Sequence, residues 1–209
     1  KQLRSARVQY NYASHFVAVG RYDEALAKFN LAISIAPAAG DAMPWYRAGQ
    51  ILLHQRQHAE AHRYLKEAFS RKFSPLLLAW EELVHDYAMS LWFVGDAPGA
   101  IEQFRRVLHV DPHFAKALNN VGCAEGVGAH RGTFPAAGFQ RAVDSLATGS
   151  KVYPEATLFR RNLASMLRLA GNAQEAATVW AQLRAASPAA AVEAEPPLDC
   201  TWSFDLRLR

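Results

Sequence analysis

The sequence predicts an all-α fold built by stacking antiparallel helix pairs, and three observations predict it. The first is a recurring phrase. Gly20-Arg-Tyr-Asp-Glu-Ala-Leu-Ala-Lys-Phe29 runs on to Pro37, returns as Gly95 through Phe104 to Pro112, and returns again as Gly171 through Trp180 to Pro188. The three glycines lie 75 and 76 residues apart, so each interval holds two units of about 38 residues, the period of a helical repeat. The second observation is helical spacing: Ala25, Phe29 and Ala32 fall at i, i+4 and i+7 and share one apolar face. The third is punctuation. Gly20 can take the left-handed conformation that ends a helix. Asp23 and Glu24 then fall in the next helix's first turn, where its dipole favours negative charge, and Pro37 blocks continuation.

Five units follow in order, over residues 6–39, 42–75, 76–114, 115–149 and 154–190. In the first, Tyr12 and Phe16 are expected to point to the core and Gly20 to close the helix. The second opens near Asp41, a candidate N-cap, with Pro44 in the first turn. Trp45, Gly49 and Leu52 lie at helical spacing, the turn His54-Gln-Arg-Gln-His58 lacks glycine, and Ala61, Leu65 and Ala68 mark the second helix. In the third, Ser74 and Pro75 read as N-cap and first residue of a long helix reaching about Val94. The fourth carries Leu118, Val121 and Gly122 in its first helix. Gly126, Gly128 and Gly132 are then expected to form an expanded, mobile turn, with the second helix resuming near Pro135 and ending by Gly149. Either Pro135 or Ala137 is its crossing residue. The fifth unit runs from Pro154-Glu155 to Pro188. Beyond it, residues 191–209 form an extended arm. Its first part is rich in Ala, Pro and Glu. Its last part alternates Trp202, Phe204, Leu206 and Leu208 with polar residues, the period of a strand.

The joint pattern resembles the tetratricopeptide repeat over roughly residues 6–190. Ala13, Gly49, Ala88, Gly122 and Ala164 stand where that family places a small residue in the first helix (A) of each pair. Ala25, Ala61, Ala100 and Ala176 stand at the small position of the second (B), and Phe29, Leu65, Phe104, Phe139 and Trp180 at the large one that follows. Small residues let helices approach, and large ones fill the seam. The resemblance implies a right-handed superhelix of helix pairs. Its concave groove, lined by A helices, would hold an extended peptide or a partner helix without catalysis, so that function lies in groove residues.

Counting from the small A-helix residue, the position two before it is expected to face that groove. It holds Asn11, Arg47, Asp86, Asn120 and Asn162. The three asparagines resemble the asparagine ladder of O-linked N-acetylglucosamine transferase. A side-chain amide both donates and accepts, and so can grip peptide backbone. Tyr10, Tyr46, Gln50, His85, Asn119 and Arg161 join the set, with Arg7, Glu82, Met89, Lys116, Ser165 and Arg168 on the same helical phase. Basic residues gather in units one, four and five, which suits an acidic ligand. The Lys/Asn/Asn/Lys/Arg set of carboxylate-clamp modules is not matched: the first unit has Tyr10 and Ser14 at those places. In the arm, Trp202, Phe204, Leu206 and Leu208 are candidates for anchoring to a neighbour's sheet edge or folding back over the last unit.

Composition narrows the function classes. The chain has 209 residues, net charge +4 and a pI near 9.2. Its basic residues are scattered, which speaks against nucleic acid. No apolar run is long enough to span a bilayer. Neither a nucleophile, a phosphate loop nor a cofactor motif accompanies His85 and Glu82, so no enzyme, cofactor or metal is expected. His58 and His62 share a helix face but lack a third ligand and read as solvated. Cys123 reads as a small buried thiol, and with Cys200 far away the balance leans to a reducing intracellular compartment. The expected role is a scaffold subunit of a hetero-complex. The alternative is the substrate-recruiting arm of a larger enzyme such as a protein glycosyltransferase.

Overall fold

A computed structural model describes residues 2–37, 41–71 and 79–186. Among these residues there are ten α-helices and no strand: α1 (Gln2–Ala18), α2 (Tyr22–Ile35), α3 (Met43–His54), α4 (His58–Ser70), α5 (Trp80–Phe93), α6 (Ala97–Val110), α7 (Ala115–His130), α8 (Ala137–Val152), α9 (Thr157–Leu169) and α10 (Ala173–Ala186). They form two compact units, 2–103 and 104–186.

One turn is used five times. Each A helix ends in a residue with positive φ, and the next N–H closes back on the helix. Arg21 N–H reaches Phe16 O at 2.9 Å, Gln57 N–H reaches Leu52 O at 2.9 Å, and Asp96 N–H reaches Leu91 O at 2.9 Å. Thr133 N–H reaches Gly128 O at 2.9 Å, and Asn172 N–H reaches Leu167 O at 2.8 Å. Gly20, Gly95, Gly132 and Gly171 supply the left-handed residue; in the turn without glycine, Arg56 supplies it at φ 59°. A side chain there costs about 1–2 kcal/mol. Arg56→Gly is therefore expected to raise the unfolding free energy by roughly 0.5–1 kcal/mol, the gain being offset in part by a freer unfolded chain. A urea titration of the two proteins side by side measures it.

In the first unit, α1 packs on α2, α2 on α3, α3 on α4 and α4 on α5. The fully buried Ala13, Ala25, Phe29, Ala61 and Leu65 lie at the seams. At Gly49 a β-carbon would stand 2.7 Å from the Leu65 side chain, which is why that position is small. Tyr12 is not a core residue as expected: it is 56% exposed, and Tyr10 lies against the Phe29 ring instead, centroids 5.5 Å apart. Asp41 accepts the Met43 N–H at 2.9 Å, but it stands one residue ahead of the N-cap, which is Ala42 and not Asp41 as expected. The described part of the third A helix, α5, begins at Trp80 after an extended Ala79 (φ −67°, ψ 134°), and Glu81 and Glu82 fill its first turn; Ser74 and Pro75 lie outside the described residues.

In the second unit, α7 packs on α8, α8 on α9 and α9 on α10. Leu118, Cys123, Ala142, Leu146, Phe159 and Met166 make the core. The expected mobile turn at Gly126–Phe134 is largely helix. α7 runs to His130, and the glycines in it are packing positions. A β-carbon on Gly126 would stand 2.1 Å from the Met166 sulfur, and one on Gly128 1.8 Å from the Phe134 ring. The crossing residue of α8 is neither Pro135 nor Ala137 but the buried Gly138, 3.1 Å from Glu125 O at its missing β-carbon. Ala142, not Phe139, then fills the seam.

Candidate functional site

The A helices of each unit carry the sequence-predicted residues, and each unit arranges its own set. In the first, Asn11 is exposed on α1 and Tyr10 half-buried. On α3 and α5 the structure brings Tyr46, Arg47, Gln50, His85 and Asp86 together. Asp86 sits at the centre. Its Oδ2 accepts from the Tyr46 hydroxyl at 3.0 Å and from Gln50 Nε2 at 2.8 Å, and its Oδ1 meets His85 Nδ1 at 3.0 Å. Gln50 Nε2 also reaches the Tyr46 oxygen at 2.6 Å, and Arg47 donates to Gln50 Oε1 at 3.1 Å. Tyr46, His85 and Asp86 are each at most 4% exposed. Burial, and next the negative Asp86, hold the Tyr46 hydroxyl far above its ordinary titration range.

Glu82, His85 and Asp86 offer donor atoms within 4.8 Å of one another, the group among the described residues best placed to hold a cation. One helix supplies all three at i, i+3 and i+4, and both Asp86 oxygens already accept bonds from the protein. The arrangement is that of a satisfied polar network.

His58 and His62 are half-buried, each with its ring against an aromatic neighbour. His58 stacks on Phe93 with centroids 4.2 Å apart, and its Nδ1 is buried without a hydrogen-bond partner. His62 stacks on Tyr87, and its Nδ1 lies 3.1 Å from Ser90 Oγ. Burial first, then the neighbouring Arg56 for His58 and Lys66 for His62, lower both pKa values. A base whose folded pKa lies below its unfolded one binds fewer protons when folded, so stability is full above about pH 6.5 and falls as pH drops. The melting temperature is expected to decline from pH 7 to pH 5, and His58→Gln to flatten that decline; calorimetry across the pH series reads both.

In the second unit, three asparagines on neighbouring A helices form a row. Asn162 Nδ2 on α9 donates to Asn119 Oδ1 on α7 at 2.7 Å, and Asn119 Nδ2 donates to Asn120 Oδ1 at 3.1 Å. All three are under a tenth exposed. Asn162 Nδ2 also lies 3.7 Å from the sulfur of Cys123. Cys123 is buried as expected but is not a free thiol: it is disulfide-bonded. Arg161, which precedes Asn162 on α9, is half-buried. One element escaped the sequence reading. Glu125, 2% exposed on α7, pairs with Arg105 of α6 and accepts from Arg141 Nε of α8 at 3.0 Å. Its signal in the sequence is that it is the one acidic residue of α7. Trp202, Phe204, Leu206 and Leu208 lie outside the described residues.

The tetratricopeptide repeat model matches residues 128–191. The whole fold agrees with solved proteins of that kind. YrrB, described as a TPR protein with an unusual peptide-binding site, is similar with TM-score 0.68 and 16% identity over 87% of this chain and 86% of its own. The chain has the fold of tetratricopeptide repeat proteins. The MamA protein of Desulfovibrio magneticus RS-1 is similar with TM-score 0.71 and 16% identity, covering 86% of this chain and 93% of its own. A tetratricopeptide repeat protein from Parabacteroides merdae gives TM-score 0.72 and 17% identity over 89% of this chain and 68% of its own. No curated protein matches the sequence. Among the described residues, no helix of this repeat protein is long and apolar enough to cross a membrane.

Proposed function

We propose that this repeat protein is a non-enzymatic interaction scaffold, and that its A-helix faces hold an extended segment of protein. The observation that carries the reading is the asparagine row of α7 and α9. Three amides at groove positions of successive A helices are bonded to one another and so held in fixed orientation. Amides fixed before binding offer donors and acceptors to a peptide backbone without first being ordered. The similarity to YrrB, with its peptide-binding site, supports the same use of this face. Arg161, adjacent to Asn162 in sequence, and Lys116 and Arg168 on the same helices favour an acidic segment.

The test pans a random peptide library on the full chain kept reduced and measures selected peptides by titration calorimetry. Asn162→Ala and Asn119→Ala are each expected to weaken binding at least tenfold while the helical circular dichroism is retained. Selected peptides that bind both variants as well as the parent would remove the row from the binding surface.

A further inference from the structure

We propose that Arg105 and Arg141, clamped together by the buried carboxylate of Glu125, form a binding site for a phosphate group, free or carried as a monoester on a partner. This site is separate from the asparagine row and does not rest on it.

All three residues lie in the second unit. Glu125 is two residues beyond Cys123 on α7, about 200° round the helix, so it lies on the opposite side of α7 from the sulfur that meets Asn162. A carboxylate leaves water at a large cost unless a positive group meets it. Glu125 is 2% exposed and is met by two. Arg105 of α6 donates through Nη2 to Oε1, and Arg141 of α8 donates through Nε to Oε2 at 3.0 Å. Gly138 lets α8 come this close: at its missing β-carbon Glu125 O is 3.1 Å away and Arg141 Nη2 is 3.8 Å away.

One guanidinium neutralises the carboxylate, and the other leaves a positive charge in excess. That charge is at the surface: the Arg105 and Arg141 side chains are 52% and 46% exposed, against 3% for that of Glu125. Among the described residues, the ion pairs of both guanidiniums go to Glu125. Glu102, three residues before Arg105, and Asp144, three after Arg141, are both exposed, and Asp144 accepts from Gln140. A guanidinium presents its N–H donors in a rigid fork. Glu125 takes one nitrogen of each fork, so two nitrogens of each remain for another acceptor. Both forks are anchored on one carboxylate and therefore stand side by side.

The ligand class follows from that pairing. Two like charges held together repel, and an anion set between them relieves the repulsion. A carboxylate brings one charge and two oxygens, which suit a single guanidinium. A phosphate monoester brings nearly two charges and three oxygens, enough to accept from both forks. The donors are anchored before the ligand arrives, so little side-chain freedom is lost on binding.

The full chain, labelled with nitrogen-15 on arginine, is titrated with inorganic phosphate at about pH 8, where the ligand is mostly dianionic, at constant ionic strength. Saturable shifts of the Nε–H signals of Arg105 and Arg141 are expected, with none from acetate over the same range. Arg105→Gln and Arg141→Gln, both surface changes that leave Glu125 one partner, are each expected to weaken phosphate about tenfold with the helical circular dichroism retained. Glu125→Gln makes the cluster more positive but loosens its anchor, and is expected to weaken phosphate at least threefold. A parallel titration with N-acetyl-O-phosphoserine amide separates the two sources. Tighter binding than inorganic phosphate assigns the site to a phosphorylated partner, and weaker binding assigns it to the free ion. Shifts that fail to saturate, that acetate reproduces, or that survive both arginine changes would overturn the proposal. So would stronger binding in Glu125→Gln, which would reduce the site to simple charge attraction.

Discussion

Phe29→Ala is expected to lower the unfolding free energy by about 3–5 kcal/mol. Phe29, on α2, is fully buried, with the Tyr10 ring of α1 on it at 5.5 Å and 57°. Its removal takes away apolar burial and the aromatic contact and leaves a cavity in a packed seam. Phe29→Leu keeps much of the volume and should cost less than about 1.5 kcal/mol. Urea denaturation followed at 222 nm measures both. Equal losses for alanine and leucine would show that the position is not a packed seam.

Asp86→Ala is expected to cost about 2–4 kcal/mol, more than its size suggests. The carboxylate is the shared acceptor of the Tyr46 hydroxyl, the Gln50 amide and the His85 ring. Truncation leaves the hydroxyl of Tyr46, a residue 2% exposed, without that acceptor. Because the members depend on one another, Tyr46→Phe in the alanine background should cost about 1 kcal/mol less than in the parent. Strictly additive losses would mean that the network has no cooperative worth.

Most of the fold could be read because its signals are local. Glycine spacing, first-turn acids and the small-then-large pairs each act within a few residues, and Gly20, Gly95 and Gly171 do take the left-handed turn. What escaped depends on partners distant in sequence. Gly126 and Gly128 resemble loop glycines until Met166 and Phe134 are seen in the space a side chain would occupy. Arg56 takes a conformation that nothing local requires; the four equivalent turns make it the way this hairpin closes. A register on the helices was legible, and it put Asn119, Asn120 and Asn162 at related positions. The bonds among them, and the gathering of Tyr46, Gln50 and His85 on Asp86, are set by how neighbouring helices meet. A spacing rule within one helix carries no such information.

The glycines of α7 have a thermodynamic consequence. Gly122, Gly126 and Gly128 in one sixteen-residue helix forfeit about 1 kcal/mol each in intrinsic helicity, so this segment would be coil by itself in water. Its helical state is borrowed from α8, α9 and the turn that follows it, whose Leu146, Met166 and Phe134 occupy the space the missing β-carbons leave. In a repeat array stability passes from neighbour to neighbour. Loosening α9 should therefore melt α7 as well, and the asparagine row would vanish as a whole instead of weakening by degrees.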